Sequence, residues 1–317
     1  MDMEKFAPQD WALILGGSSG FGLATAKKLS AAGLSVCIVH RDRKGAMARV
    51  EQEFQTVQDA LHPGAQFLAL NLDALSREGI ATTLAAMQEK SDGKVRVLLH
   101  SIAFGNLKPI APVADTAQRE NDALLEQLAR KLGSSKDTLQ STLSDLLAEG
   151  HDALSALVPP VYGENLIEDE DMARTIYSMG TSLLTWVQQV FAAGMFADDA
   201  RVFGLTSEGN DIAWRGYAAV SAAKTALESV SRSIAVEFAP YGIRSNIIQA
   251  GVTDTPALRA IPGSGAMKAA ARMRNPFGRL TTPEDVANVI ALLSRPEAGW
   301  INGSLIRADG GEHIASA

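Results

Sequence analysis

From Trp11 onward, short apolar runs alternate with longer segments whose apolar residues recur at helical spacing. WALIL (11–15) precedes a helical pattern over Gly22–Ala32, and LSVCIVH (34–40) precedes another from Lys44 to Ala60. The rhythm continues through QFLALNL (66–72), a further helix and VRVLLHS (95–101), and much later through ARVFGLT (200–206), IRSNIIQA (243–250) and SLIRADG (304–310). Each run is short, rich in branched residues and bounded by Gly, Asn or Asp, which predicts strands. Runs this apolar without alternation belong to a parallel sheet covered by helices on both faces. The pattern therefore predicts an α/β fold: one Rossmann-type, doubly wound parallel sheet of about seven strands, forming a single domain over 1–317.

One stretch departs from this rhythm. Between the strand ending near Ser101 and a helix containing Thr175–Val190, about seventy residues stand where a short loop would suffice. Leu124, Leu125, Leu128 and Leu132 mark one helix there, and Leu139, Leu143, Leu146 and Leu147 a second, joined by Gly133, Ser134 and Ser135. The expectation is a helical hairpin inserted after the fourth strand, within 111–168, with Pro159 and Pro160 punctuating its exit. Open α/β sheets bind ligands at the carboxyl ends of their strands, so an insertion leaving there lies beside the site. Both a lid over the substrate and a lobe for oligomer contact fit that position.

Composition narrows the function classes. The 317 residues are 46% hydrophobic, enough to bury a full core, and the formal net charge of -7 provides no basic face for a nucleic-acid backbone. The single cysteine, Cys37, sits in an apolar run and reads as a buried structural thiol, which suits a cytoplasmic protein. The N-terminal MDMEKFAPQDW lacks the basic start and apolar core of a signal peptide, and no apolar stretch approaches a membrane span. Membrane partners are therefore not expected. The carboxylates Glu168, Asp169, Glu170 and Asp171 precede a helix and suit its N-terminal dipole, so no metal is assigned. His100, at a strand end, reads as a satisfied structural donor.

The chemistry begins directly after the first strand, where Gly16, Gly17, Ser18, Ser19, Gly20, Phe21 and Gly22 open a helix. Glycines allow the backbone to turn tightly and approach a pyrophosphate, while amides at a helix start offer donors and partial positive charge. In this strand-to-helix context the cluster predicts dinucleotide binding. The second strand ends in His40 and Arg41, with no carboxylate at Arg41's position to accept ribose hydroxyls, although Asp42 follows. The planar guanidinium suits a 2′-phosphate, so NADPH is expected over NADH.

Tyr217 and Lys224 stand seven apart in RGYAAVSAAKTALESVSRSIAVEF, almost two turns of a helical pattern and roughly 10 Å of axial rise. Ser207 ends the strand ten residues before the tyrosine. Together with Gly16–Gly22, LLHSIAFG and NIIQAGVTDTPAL, these residues resemble the short-chain dehydrogenase/reductase family over nearly the whole chain outside the insertion. Ordinary members of that family place the tyrosine four before the lysine, where this chain has Val220, and a relay asparagine where it has Met179. The wider spacing, and HSIAF after the fourth strand, resemble the divergent branch of bacterial enoyl-acyl-carrier-protein reductases.

A physical reason for the spacing can be given. Reduction of an enoyl thioester adds hydride at C3 while charge gathers on the more distant C1 oxygen, and moving the phenol three positions shifts its attachment by about 4.5 Å. The resemblance then implies that Tyr217 stabilises the enolate oxygen and that Lys224 holds the nicotinamide ribose and supports the phenol. Ser207 aligns with the ordinary catalytic serine. On the cofactor side it implies that Ser101, Ile102 and Ala103 line the adenosine end and that Asn71, in place of the usual aspartate, meets the adenine with Leu72. Gly251, Val252 and Thr255 match positions at the nicotinamide carboxamide and pyrophosphate, with Ala250 replacing the usual proline, and Pro256–Met267 corresponds to the mobile substrate loop. The implied partner is an acyl thioester on acyl carrier protein, and the implied assembly a homotetramer. Two rival functions are a carbonyl reductase, acting on a 3-oxoacyl thioester or a hydroxysteroid, and a nicotinamide-binding regulator without turnover. Val220 and Met179 count against the first, and the Tyr217–Lys224 pair against the second.

Overall fold

A computed structural model describes residues 6–112, 115–158, 162–163 and 165–316. Its seven strands are β1 (Trp11–Leu15), β2 (Ser35–His40), β3 (Phe67–Asn71), β4 (Val95–His100), β5 (Phe196–Thr206), β6 (Ile243–Ala250) and β7 (Leu305–Ala308). They form one parallel sheet in the order β3-β2-β1-β4-β5-β6-β7. All seven expected strands are present, and the doubly wound architecture is as the apolar runs predict.

The helices are α1 (Gly20–Ala31), α2 (Met47–Asp59), α3 (Arg77–Lys90), α4 (Asp115–Lys131), α5 (Lys136–Ala148), α6 (Asp169–Ile176), α7 (Ser182–Ala192), α8 (Ala218–Glu237), α9 (Pro256–Arg259), α10 (Ser264–Arg274) and α11 (Pro283–Leu293). The strand pleat sends alternate side chains to two cores. Ala12, Ile14, Val36 and Ile38 pack with Leu29, Val50 and Ile290 on one face, while Trp11, Leu13, Leu15, Cys37 and Val39 pack with Met87, Trp186 and Leu227 on the other. Burial pushes the Cys37 thiol above its ordinary range, consistent with a structural role. Among the described residues no helix is long and apolar enough to cross a membrane.

Two expected boundaries shift. The segment expected as one helix over Thr175–Val190 is α6 and α7 joined by a π turn at Tyr177–Thr181. Such turns interrupt the regular ladder and occur often at functional sites. A Cβ at Gly180 would come within 2.6 Å of the Ala223 carbonyl, so the π turn packs backbone to backbone against α8. The second shift concerns Tyr217, which caps α8 rather than lying within it.

Helices α4 and α5 occupy the insertion and share a small core of Leu125, Ala129, Leu139 and Leu143. The insertion leans on α10: Arg272 Nε donates to Asp152 Oδ2 at 2.8 Å, and Leu147 faces Gly265. Pro159 and Pro160 lie outside the described residues. At its far end Glu168 and Asp171 form a capping box on α6, and Lys108 bonds Asp171 at 2.6 Å, which accounts for two carboxylates of the acidic run.

At the amino ends of the strands, Asp199 accepts from Arg96 (3.0 Å), Arg201 (2.5 Å) and Arg244 (2.8 Å). Arg201 is fully buried and also donates to the Leu293 and Arg295 carbonyls at the end of α11. The cluster thus satisfies a helix C-terminus with cations, as the helix dipole favours, and lies opposite the functional cleft.

Candidate active site

The strand order reverses between β1 and β4, which run side by side and parallel while the helices that follow them pack on opposite faces. At such a switch point the loops diverge and leave a crevice. A cleft of about 580 Å³ opens there. Its walls include Gly16, Ser18, Ser19, Gly20, Phe21, Arg41, Leu72, Ser101, Ile102, Ala103, Ser207, Tyr217, Lys224, Gly251, Val252 and Thr255. Nearly every residue singled out in the sequence is therefore brought to one cavity.

Gly22 and Asn71 are not. A Cβ at Gly22 would lie 2.2 Å from the Gly16 carbonyl, so this glycine lets α1 pack onto the loop rather than facing a ligand. Asn71 spends its amide on the chain: its Oδ1 accepts from the Asp42 amide and its Nδ2 donates to the Asp42 carbonyl, each at 3.1 Å. Asp73, two residues further on, faces the cleft instead.

The phosphate end fits a dinucleotide. Gly16 has φ +84°, and a Cβ there would meet the Ser101 carbonyl at 2.6 Å, so only glycine permits this close turn. The N-cap of α1, Ser19, makes no side-chain capping bond, and no acidic residue occupies the first turn. The helix start thus keeps donors and partial positive charge available to an anion. At the adjacent rim Arg41 lies 4.6 Å over the Phe104 ring, with Nη1 3.5 Å from Asp73. Asp42 turns away and meets His40 Nδ1 at 2.9 Å.

At the other end the Tyr217 phenol is buried against Trp214 (ring centroids 5.3 Å apart), Met179, Val220 and Ile261. Its hydroxyl lies 3.4 Å from Ser207 Oγ. That is longer than a good hydroxyl–hydroxyl bond, so both groups retain capacity for a substrate oxygen. Burial pushes the phenol pKa up, partly offset by Ser207. Lys224 is buried and donates from Nζ to the Leu205 carbonyl at 2.8 Å; burial lowers its pKa to about 8 against the opposing pull of Glu228. Beneath it, His100 Nε2 meets Ser182 Oγ at 2.8 Å, and burial, then the Lys224 charge, hold the imidazole down at about 3. It is a neutral buried group, but only half satisfied: Nε2 has its partner while the buried Nδ1 has none among the described residues, so the expected fully satisfied donor is corrected in part.

Sequence reading missed several groups. Glu228 accepts from Thr206 Oγ1 and Asn210 Nδ2, both at 2.6 Å on the same Oε1; its place one turn after Lys224 was the available signal. Trp214 and Leu107 complete the apolar wall, and Ala257, Leu258, Ala260, Ile261 and Met267 from the expected substrate loop face the cavity. Among the described residues the inserted helices contribute nothing to the lining.

Residues 160–313 match the family model described as enoyl-(acyl carrier protein) reductase, and residues 10–126 match that of short chain dehydrogenase. A probable 2,4-dienoyl-CoA reductase of Bacillus subtilis (strain 168) is 28% identical over 319 residues, covering 98% of each chain. The cis-4-hydroxycyclohexanecarboxylate dehydrogenase of Sinomonas cyclohexanicum is 33% identical over 119 residues, but the match spans only 38% of this chain and 45% of that protein. Among solved structures, FabI from Candidatus Liberibacter asiaticus superposes with a TM-score of 0.71 at 17% identity, covering 99% of each chain. The 3-ketoacyl-(acyl-carrier-protein) reductase from Brucella melitensis, complexed with NADH, has a TM-score of 0.66 at 24% identity, covering 96% of this chain and 98% of that one. At these identities the structural likeness is one of fold.

Proposed function

The chain belongs to the short-chain dehydrogenase/reductase superfamily and is an oxidoreductase, and we propose that it reduces the C2–C3 double bond of a trans-2-enoyl thioester carried on acyl carrier protein, in cytoplasmic fatty-acid synthesis. The observation that carries this reading is the placement at Tyr217 of the only cleft phenol among the described residues, with Val220 where a ketone reductase would hold its tyrosine. A reduced nicotinamide bound along the cleft supplies the hydride equivalent. The chain's own groups do the rest.

Tyr217 donates a hydrogen bond to the thioester oxygen as negative charge develops on it, a contact stronger in the transition state than in the ground state. Its raised pKa keeps the phenol protonated at neutral pH. Lys224, anchored on Leu205, supplies the neighbouring cation and a donor for ribose hydroxyls. Ser207 orients the phenol or shares the same oxygen. Met179, Val220, Trp214 and Ile261 exclude water and suit the start of an acyl chain.

NADPH is favoured over NADH because Arg41 faces the cleft while the nearby carboxylate of Asp42 is turned back onto His40. The likeness to a dienoyl-CoA reductase over 98% of both chains supports a second reading, in which a conjugated thioester of coenzyme A is the substrate. Both readings use the same enolate chemistry. The insertion, packed behind α10, is proposed to act as a lid through that helix, and the working assembly to be a homotetramer, which light scattering reports directly.

The deciding experiment follows NADPH and NADH oxidation with crotonyl-acyl carrier protein, crotonyl-coenzyme A, a dienoyl-coenzyme A, an acetoacetyl thioester and a hydroxysteroid-type ketone. Turnover of the crotonyl carrier-protein thioester with NADPH, reduced about 10²–10⁴-fold in Tyr217→Phe while cofactor affinity holds, is the expected result. Preference for either ketone overturns the assignment, and preference for the dienoyl substrate selects the second reading.

A further inference from the structure

Three segments that wall the Tyr217 end of the cleft meet at a single guanidinium. Glu208 follows Ser207 on the turn after β5 and lines the cleft, Val252 lies on the loop after β6, and α10 carries Met267 into the cavity at one end and Arg274 at the other. Arg274 Nη2 bonds Glu208 Oε1 at 2.5 Å and Glu312 Oε1 at 2.8 Å. The second oxygen of Glu312 accepts from the Val252 amide at 3.2 Å. Glu312 is almost completely buried, although it belongs to the C-terminal segment after β7. That segment is folded inward by Asp309, whose carboxylate accepts from the Gly311 and His313 amides, each at 3.0 Å.

A buried carboxylate that bonds both a backbone amide and a guanidinium fixes peptide orientation far more firmly than packing alone, because its unpaired alternatives are costly. Successive helical residues turn by 100°, so Arg272 and Arg274 lie nearly opposite each other on α10. Arg272 ties the helix to Asp152 of the insertion, and Arg274 ties it to the cleft wall. Helix α10 is therefore held from both sides. The clamp lies at the β5–β6 end of the sheet, and Arg41 at the β2 end, with β1 and β4 between. Three strand spacings separate β2 from β5, roughly 14 Å.

We propose that Arg274 is a positioning residue which, through Glu208 and Glu312, fixes the Val252 loop and the substrate-side helix α10 in the pose needed to receive the nicotinamide and the acyl substrate, without acting on the adenosine end. The inference rests on reading the cleft as a nicotinamide and substrate site. Its action passes through two carboxylates and one backbone amide, and Arg274 itself touches no reacting atom.

The test compares wild type with Arg274→Gln, Glu312→Gln and Arg274→Lys, each first checked by circular dichroism and thermal melting. Affinities are measured for intact NADPH and for 2′,5′-ADP, which occupies the adenosine end alone, together with KM and kcat for the enoyl thioester. In the two Gln variants NADPH affinity and KM each weaken about tenfold, the order of one lost charge-assisted hydrogen bond. Affinity for 2′,5′-ADP stays within about twofold, and Arg274→Lys recovers most of the loss because a single ammonium can still bridge two carboxylates. Equal weakening of NADPH and 2′,5′-ADP, or no change in either NADPH affinity or KM, overturns the proposal. If wild type reduces no enoyl thioester, the functional assignment fails, while the paired cofactor affinities still decide the role of Arg274.

Discussion

Glu228→Gln removes one charge beside Lys224 and leaves the local hydrogen bonds in place. Both bonds to Glu228, from Thr206 and Asn210, end on Oε1, so the amide oxygen of a glutamine can occupy that position and accept both. Residues four apart on a helix have side chains roughly 6 Å apart. At that separation and an effective dielectric of about 20, a carboxylate favours an ammonium by about 3 kcal/mol, or about two pH units. Glu228 is only partly buried, and solvent screening halves this to about one unit.

Burial already lowers the wild-type ammonium pKa to about 8, and loss of the carboxylate should lower it by about one unit more. The assay is the pH profile of kcat/KM for NADPH at constant ionic strength, which reports groups of the free enzyme. Its alkaline limb should move down by about one unit, so that the variant loses activity around pH 7.5 while keeping it near pH 6. Because the folded pKa of this lysine lies below its unfolded value, burying its charge opposes folding. That cost is fully present below the folded pKa and is relieved as pH rises through it. The variant should therefore be less stable than wild type by about 1.4 kcal/mol below pH 7, with the deficit fading by about pH 8. A limb unmoved in the variant would show that Lys224 does not govern it, and an upward shift would overturn the sign of the argument.

Further expectations rest on single contacts. Gly22→Ala places a methyl 2.2 Å from the Gly16 carbonyl, so the phosphate loop must open; NADPH binding measured by fluorescence should be largely lost, and retained affinity would contradict the close packing. Arg41→Ala should weaken NADPH binding about tenfold or more, the worth of one or two charge-assisted bonds, and leave NADH nearly unchanged in the same titration. Asp199→Asn leaves Arg96, Arg201 and Arg244 around a neutral group and should cost about 2 kcal/mol at pH 7, reduced from the ~3–5 typical of a broken buried pair because Asp199 is partly exposed. Burial raises the Asp199 pKa, but Arg201, Arg96 and Arg244 outweigh it and hold the pKa low. The wild-type advantage is therefore present above about pH 4, and in melts at decreasing pH it should close as the carboxylate protonates.

How far the site could be read varied with the reach of each signal. The glycine loop and the Tyr217–Lys224 spacing are local patterns, and both arrive in the cleft as expected. The helical reading of Tyr217 erred by its register at the cap, since a residue at a helix start carries the same local pattern as one inside it. Asn71 was misplaced for a different reason. A strand end does not reveal whether its side chain faces a ligand or a neighbouring loop, and here the Asp42 backbone takes it.

By itself, then, the sequence determines the seven apolar runs, the parallel α/β class, the phosphate-binding loop, the insertion and the pairing of one phenol with one lysine, because each is written in the spacing of residues near one another. Only the tertiary structure decides that the loops after β1 and β4 diverge to open the cleft, that Lys224 is buried enough to titrate near neutrality, and that Glu208, Arg274 and Glu312 converge on one wall. Local periodicity is set by the 3.6-residue and two-residue repeats of the backbone. Burial of a charge and the meeting of distant carboxylates depend on how the chain crosses the sheet, and no short window of residues contains that crossing.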